Sequence, residues 1–273
     1  MDKNVDVEGI ELELLLSAVY QRFQYDFSSY TRSSLRRRLS QALTDFNYQN
    51  FTQLQERVLH DIEFFPKLLN YLTVNTTELF RDPGYFRALK EKVFPYLRTF
   101  PSLKIWIAGC STGEEIISLA ILLKEADIKR YIIYATDINP MNLEKASKGI
   151  YSQETVRKGT KNYREAGGIA SLSEYYEAAY DSVKFDPDLL KNVVFSDHSL
   201  ATDAVFSETH LISCRNVLIY FERELQDKAF KLFKDSLLHG TFLGIGSKET
   251  ITFSGIKNDF IVIDSVNKVY QKK

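Results

Sequence analysis

Cysteine is scarce: the 273-residue chain holds 2, Cys110 and Cys214. Each stands at or beside an apolar run, so small core residues are expected there rather than a disulfide or a metal-thiolate site. Charge excess is missing too. Lys and Arg number 35 against 36 Asp and Glu, a net of −1, so no global basic field draws nucleic acid. No apolar run reaches membrane-spanning length, and residues 1–9 are polar and acidic, unlike an export signal. A soluble cytoplasmic protein without membrane insertion is expected. Internal repeats and low-complexity segments are lacking. Between Gly9 and Gly84 there is no glycine, which suits a compact helical bundle. The length allows one large domain or a large and a small one, and 44% hydrophobic residues suffice for a core.

What is present is organised around residues 104–137. Apolar residues from Ile105 to Ala108 predict a buried strand, Gly109 and Gly113 bracket a tight loop, and Ile117 to Leu123 give an apolar-faced helix. A second apolar run, 131–135, leads to Asp137. Such a β-α-β unit, with a glycine loop after its first strand and an acid at the tip of its second, suits an adenosine-containing ligand. The loop has neither G-x-G-x-x-G spacing nor a following G-K-[ST]. Glu114 and Glu115 would repel a diphosphate at the helix start, but not a cation. Adenosine, a ribose diol and a positive charge combine in S-adenosylmethionine. On this stretch alone, an ordinary doubly wound turn with two helix-start acids explains the pattern equally well.

Residues 10 to about 70 read as four helices. Leu12, Leu15, Leu16, Val19 and Phe23 mark the first, and Leu35, Leu39 and Leu43 the second. Asn50 caps the third, with Leu54, Val58 and Leu59, and Phe64 to Leu72 supply the fourth. Arg32, Arg36, Arg37 and Arg38 lie on the second helix, either as a solvated basic face or as a docking site for an acidic partner. RNA is disfavoured there, because the patch is small and lacks interleaved aromatics. Residues 72–83, taken alone, are a polar linker capped by Asn75 or Thr76 and closed by Pro83. A helix over 84–97 leads into the first strand. Another runs from Asn139-Pro140 to about Lys148. Residues 149–190 show no clean period, and Gly159, Gly167 and Gly168 break them. Strands follow at 193–196 and 209–213, then a helix from about Glu224 to Leu238, a strand at 242–245 and a closing hairpin at 260–270.

Three motifs occur in order: Asn-Thr-Thr-Glu-Leu-Phe-Arg-Asp at 75–82, Gly-Cys-Ser-Thr-Gly-Glu-Glu at 109–115 and Cys-Arg-Asn-Val-Leu-Ile-Tyr-Phe at 214–221. Together they closely resemble the chemotaxis receptor methyltransferases, the CheR family, over nearly the whole chain. The resemblance implies an α/β protein: an N-terminal helical bundle plus a Rossmann-like S-adenosylmethionine methyltransferase domain with a small inserted β-subdomain. The expected divisions are a helical domain at 1–72, a cofactor-lining linker and helix at 73–92, and a methyltransferase domain at 93–273 with its insert at about 150–192.

The resemblance makes 75–82 the cofactor-lining loop. Asn75 and Thr77 then bond the methionyl or ribosyl part, and Arg81 faces the reacting end, where its fork can hold a substrate carboxylate. Cofactor contacts are further expected from Gly109, Glu115, Asp137, Ser199, Leu200, Arg215 and Asn216. Tyr220 lines the methyl path and, with Arg81, is the catalytic pair. Arg215 and Asn216 fall where open α/β sheets place ligands, past the carboxyl end of a strand. The chain departs from the family at Ser199, usually Asn; at His210, commonly Asp and read here as structural; and at Ser247-Lys248, within Gly246-Ser247-Lys248-Glu249, where Gly-His-Ser-Glu is usual.

The implied function is methylation of receptor glutamates to methyl esters, with S-adenosylhomocysteine as the other product. The partner is the cytoplasmic helical region of a receptor, met through the Arg32, Arg36, Arg37 and Arg38 face by a monomer. No metal is expected. A glutamate is ionised at neutral pH, its reference pKa being about 4.3, so no strong base is needed. Two alternatives stand beside this reading: a non-catalytic cofactor sensor or scaffold, which the departures would favour, and an RNA or small-molecule methyltransferase on the same fold.

Overall fold

A computed structural model describes residues 5–205 and 207–273, so the reading of residues 1–9 lies outside the described residues at positions 1–4. Two compact units make up the chain. One comprises the described residues up to Val74 with Leu200–Thr202 and Tyr220–Lys228; the other comprises Asn75–Ser199, Asp203–Ile219 and Ala229–Lys273.

The first unit is built on α1 (Val7–Phe23), α2 (Arg32–Phe46), α3 (Phe51–His60) and α4 (Phe65–Leu72). Asp6 caps α1 by accepting the Gly9 N–H, and Asn50 caps α3 by accepting that of Gln53. Leu12, Leu15, Leu16 and Val19 of α1, Leu35, Leu39 and Ala42 of α2, Leu54 and Val58 of α3 and Leu68, Leu69 and Leu72 of α4 are all buried. Residues 220–222 add to this unit through backbone bonds from Thr31 N–H to the Tyr220 carbonyl (2.8 Å) and from Glu222 N–H to the Ser29 carbonyl (2.8 Å).

The arginines of α2 do not form the single face expected of them. Arg32 pairs with Glu13 at 2.8 Å, and Arg36 with Asp6 at 3.0 Å and Glu8 at 3.4 Å. Arg37 is exposed. Arg38 turns inward, because 100° per residue carries it round toward the Leu35 and Leu39 side. Its guanidinium donates to the carbonyls of Tyr71 and Leu72, both at 3.0 Å, and to Ser34 Oγ at 2.6 Å. It thereby satisfies last-turn carbonyls of α4 with a cation at the helix's negative end.

The second unit carries a seven-stranded sheet. Its strands are β1 (Leu103–Ala108), β2 (Tyr131–Asp137), β6 (Val193–Asp197), β7 (Thr209–Cys214), β8 (Leu237–Ile245), β9 (Phe260–Asp264) and β10 (Val269–Lys272). The order is β6-β2-β1-β7-β8-β10-β9, parallel from β6 to β8 and antiparallel across β8-β10-β9. β1 and β7 are buried almost throughout, as parallel strands covered on both faces must be. Helices α7 (Glu114–Glu125) and α8 (Pro140–Lys148) make the crossovers from β1 and β2. His210 sits within β7 and accepts the Lys104 N–H through Nδ1 at 3.0 Å; burial lowers its pKa, so it is a neutral structural acceptor.

The expected helix over 84–97 is α5 (Pro83–Ala88), a π turn (Leu89–Val93) and α6 (Phe94–Leu97). Pro95 has no N–H and its ring crowds the carbonyl four residues back, so the ladder widens just before it. Region 149–190 holds more order than its composition suggests. A second sheet, β3-β5-β4, is formed by β3 (Ile150–Ser152), β4 (Tyr176–Ala179) and β5 (Ser182–Phe185), and α9 (Gln153–Glu165) lies between β3 and β4 in sequence. Gly159 is no break: it is mid-helix in α9, where a Cβ would lie 2.6 Å from the Cβ of Leu79. The last helix, α10 (Arg223–Ser236), contributes its residues up to Lys228 to the first unit.

Arg38→Ala should destabilise the protein by about 1–3 kcal/mol, because two helix-end carbonyls lose a charged donor. Arg37→Ala should leave stability unchanged. Urea denaturation of both variants checks this, and equal behaviour would refute the distinction.

Candidate functional site

β1 lies between β2 and β7, so the connections leaving its carboxyl end diverge and open a crevice there. The glycine loop folds over it. Gly109 and Cys110 both donate their N–H to the Thr136 carbonyl at 2.8 Å. Gly109 has φ +76°, and a Cβ there would stand 2.5 Å from Val217 Cγ2; Gly113 has φ +93°, with Ala146 Cα 2.9 Å from a Cβ. Neither position can carry a side chain without moving its neighbour. Cys110 and Cys214 are buried beside this loop and at the end of β7, and burial pushes both thiols up, which keeps them unreactive.

Asp137, at the tip of β2, is buried and already engaged. Its Oδ2 accepts the Ser111 N–H at 2.8 Å, and its Oδ1 accepts from Asn139 N–H at 2.9 Å and Asn142 Nδ2 at 3.1 Å. Burial raises its pKa, while these bonds pull the other way. Asn142 also donates to Asn75 Oδ1 at 2.8 Å, which ties the 75–82 segment to the Asp137 carboxylate. Glu114 is buried, its Oε2 accepts the Thr112 hydroxyl at 2.7 Å, and burial raises its pKa as well.

Arg215 is the hub on the β7 side. Its side chain is 1% exposed, and Nη1 meets Glu115 Oε2 at 3.2 Å. Nη2 meets Asp82 Oδ2 at 2.9 Å and the Arg81 carbonyl at 2.6 Å. The Tyr85 ring lies 4.2 Å and the Phe86 ring 5.3 Å from the guanidinium carbon. Glu115 Oε1 accepts the Ser213 hydroxyl at 2.5 Å, and Tyr85 Oη is 2.7 Å from the same Ser213 Oγ. One cation thus joins α7, β7 and the 75–82 segment. That segment is bent by left-handed φ at Phe80 (+52°) and Asp82 (+54°), and the Phe80 N–H donates to Ser118 Oγ at 2.8 Å.

The second unit therefore brings together Asn75, Gly109, Glu115, Asp137, Arg215 and Asn216, with Thr77 and Arg81 half-buried on the joined segment. Arg81 Nη1 makes only a long bond, 3.4 Å, to the Thr76 carbonyl. Ser199 is fixed through its backbone, the N–H donating to Asp203 Oδ2 at 2.8 Å. Leu200 and Tyr220 belong to the first unit. Leu200 is buried there, and the Arg38 guanidinium stands 5.5 Å from the Tyr220 ring centre. Sequence reasoning missed Ser111, Asn142, Ser213, Tyr85, Asp82 and Glu249. Asp82 and Ser111 lie inside recognised motifs, Glu249 ends the segment compared with Gly-His-Ser-Glu, and Asn142 sits one turn after the helix-starting Asn139; Ser213 and Tyr85 had no signal beyond position.

The donor set fits an adenosine ligand with a cationic end. Glu115 and Asp82 share the one Arg215 guanidinium, and Asp137 is met by backbone and amide donors rather than by a cation. Three buried polar atoms here, Ser111 Oγ, Arg215 Nε and Asn216 Oδ1, have no protein partner.

Residues 75–269 match the CheR methyltransferase S-adenosylmethionine-binding domain, and residues 10–73 match the CheR all-alpha domain. Cher3 of Pseudomonas putida is 51% identical, the alignment covering 99% of this chain and 98% of that protein. A chemotaxis protein methyltransferase of Klebsiella aerogenes is 31% identical over 95% of this chain and 89% of its own length. One of Listeria innocua is 31% identical over 83% and 84%. The cofactor is thereby S-adenosylmethionine, and the chain belongs to the CheR methyltransferase family.

Proposed function

We propose that this protein transfers a methyl group from S-adenosylmethionine to glutamate side chains on the cytoplasmic helices of a chemotaxis receptor, giving glutamyl methyl esters. The observation that carries the reading is the Arg215 hub, where Glu115 and Asp82 close on one guanidinium beside the Asp137 strand tip, in a chain whose relatives include chemotaxis protein methyltransferases. The cofactor supplies an electrophilic methyl on a cationic sulfur. With it bound, a glutamate carboxylate oxygen held by Arg81 would take the methyl, the C–O bond forming as the C–S bond breaks and the sulfur being left as a neutral thioether. No proton moves, so the protein needs no general base; it orients and desolvates.

In this reading Asp137 accepts the ribose hydroxyls, for which its oxygens keep acceptor capacity beyond the three bonds they make. Asn75, Thr77, Gly109, Ser199, Leu200 and Asn216 line the cofactor, and Glu115 draws its amino group. Arg81 grips the acceptor carboxylate and Tyr220 lines the methyl path. Arg32, Arg36 and Arg37 meet the receptor. The ion pairs of Arg32 and Arg36 lie at the surface, and such pairs are worth little, so an acidic helix can displace Glu13, Asp6 and Glu8. Arg38 is not part of that contact, since its donors are spent on α4. The protein works as a cytoplasmic monomer.

Arg81→Ala should slow methyl transfer to a receptor fragment by about a hundredfold or more while changing S-adenosylhomocysteine affinity by much less. Mass spectrometry of the fragment reads both the rate and the modified glutamates. A wild-type protein that binds cofactor but modifies no glutamate would overturn the proposal.

Asp137→Ala should abolish detectable S-adenosylhomocysteine binding in calorimetry. It should also lower stability by about 2–4 kcal/mol, because the Ser111, Asn139 and Asn142 donors lose their buried acceptor. Retained binding would remove Asp137 from the site.

A further inference from the structure

Beyond the end of β8, the Glu249 side chain is buried at 5% exposure. Its Oε1 accepts the N–H groups of Val217 (3.0 Å) and Leu218 (2.8 Å). Its Oε2 accepts those of Asn216 (3.2 Å) and Gly246 (2.5 Å). Three of these four donors are consecutive, and they belong to the turn that begins with Arg215. Successive N–H groups converging on one anion form a nest, which needs an unusual backbone. Asn216 supplies it with φ +58°, a conformation that Asn tolerates better than most residues.

The fit is close on the other side as well. A Cβ at Gly246 would lie 2.7 Å from the Asn216 nitrogen and 2.8 Å from Glu249 Oε2, so a side chain there would force carboxylate and turn apart. No cation pairs with Glu249 among the described residues, and the charge is balanced by backbone dipoles alone. Burying a carboxylate is costly, and nothing about ending a strand requires one. What this carboxylate holds is the backbone from Asn216 to Leu218, directly after Arg215, and the Asn216 Oδ1 on that turn is buried without a partner.

We propose that Glu249 is a positioning residue of the cofactor site: an internal anion that clamps turn 215–218 and so sets where Arg215 and Asn216 stand. The proposal rests on the reading of Arg215 and Asn216 as cofactor-facing. Glu249→Gln keeps the volume but turns an amide donor toward backbone N–H groups, so the clamp opens. Glu249→Asp keeps the charge and withdraws it by one methylene.

The test is calorimetric titration of the full chain with S-adenosylhomocysteine, with circular dichroism to confirm folding. Glu249→Gln is expected to weaken binding about tenfold or more, and Glu249→Asp by less. Asn216→Ala is expected to weaken binding too, and in that background Glu249→Gln should cost a clearly smaller factor than in the wild type. General loosening of the fold would instead give full, additive losses. Wild-type affinity in Asn216→Ala overturns the underlying reading of the turn. A weakened Asn216→Ala beside folded Glu249 variants of wild-type affinity overturns the clamp, as do additive losses. Should Glu249→Gln fail to fold, Glu249→Asp alone and combined with Asn216→Ala decides the same question.

Discussion

The Arg215 guanidinium is 1% exposed, and the partners of its two Nη atoms organise the second unit, while its buried Nε has no protein partner. Its planar fork reaches Glu115 at the start of α7, Asp82 and the Arg81 carbonyl on the 75–82 segment, and the faces of Tyr85 and Phe86 on α5. A lysine ammonium could not serve these directions together, because it offers a point charge and not a rigid fork. The left-handed residues Phe80 and Asp82 bend this segment, held by the Phe80 N–H bond to Ser118 Oγ and by the Asp82–Arg215 pair. The segment on which Arg81 is carried is thus set by a residue more than a hundred positions later in sequence.

Charge balance follows from the same hub. One buried arginine engages two acids, while Asp137 and Glu114 are solvated by the hydroxyl, amide and backbone donors around them. Carboxylates thus stand at the carboxyl end of β2 and beside that of β7, where a doubly wound sheet exposes its ligand groove. That is the opposite of a diphosphate site, and it agrees with the S-adenosylmethionine-binding domain that the family match identifies. Glu249 extends the pattern: burial raises its pKa, and backbone N–H groups under the turn that presents Arg215 pull the other way.

The parts legible in the sequence were those with local causes. Apolar runs and two glycines with obligatory left-handed φ announced β1, the loop and α7, and Asn50 announced the start of α3. The parts that were not legible have tertiary causes. Gly159 signalled a break until the packing of Leu79 explained it as a close approach inside α9. Val156, Gly159 and Tyr163 do fall at helical spacing there, but the polar residues between them hide the period. Arg38 read as one more surface cation because nothing local shows that α4 ends beneath it. The acids that Arg215 would engage came from two other segments, and sequence order alone could not pair them.

The measurement closest to the centre of this account is the S-adenosylhomocysteine affinity of Arg215→Lys, taken by calorimetry beside the wild type. A retained positive charge without the fork should lose at least about tenfold in affinity, because Glu115 and the 75–82 segment are no longer held together. Wild-type affinity in a folded Arg215→Lys protein would contradict the account, since the site would then need only a charge at this position and not the geometry that joins its parts.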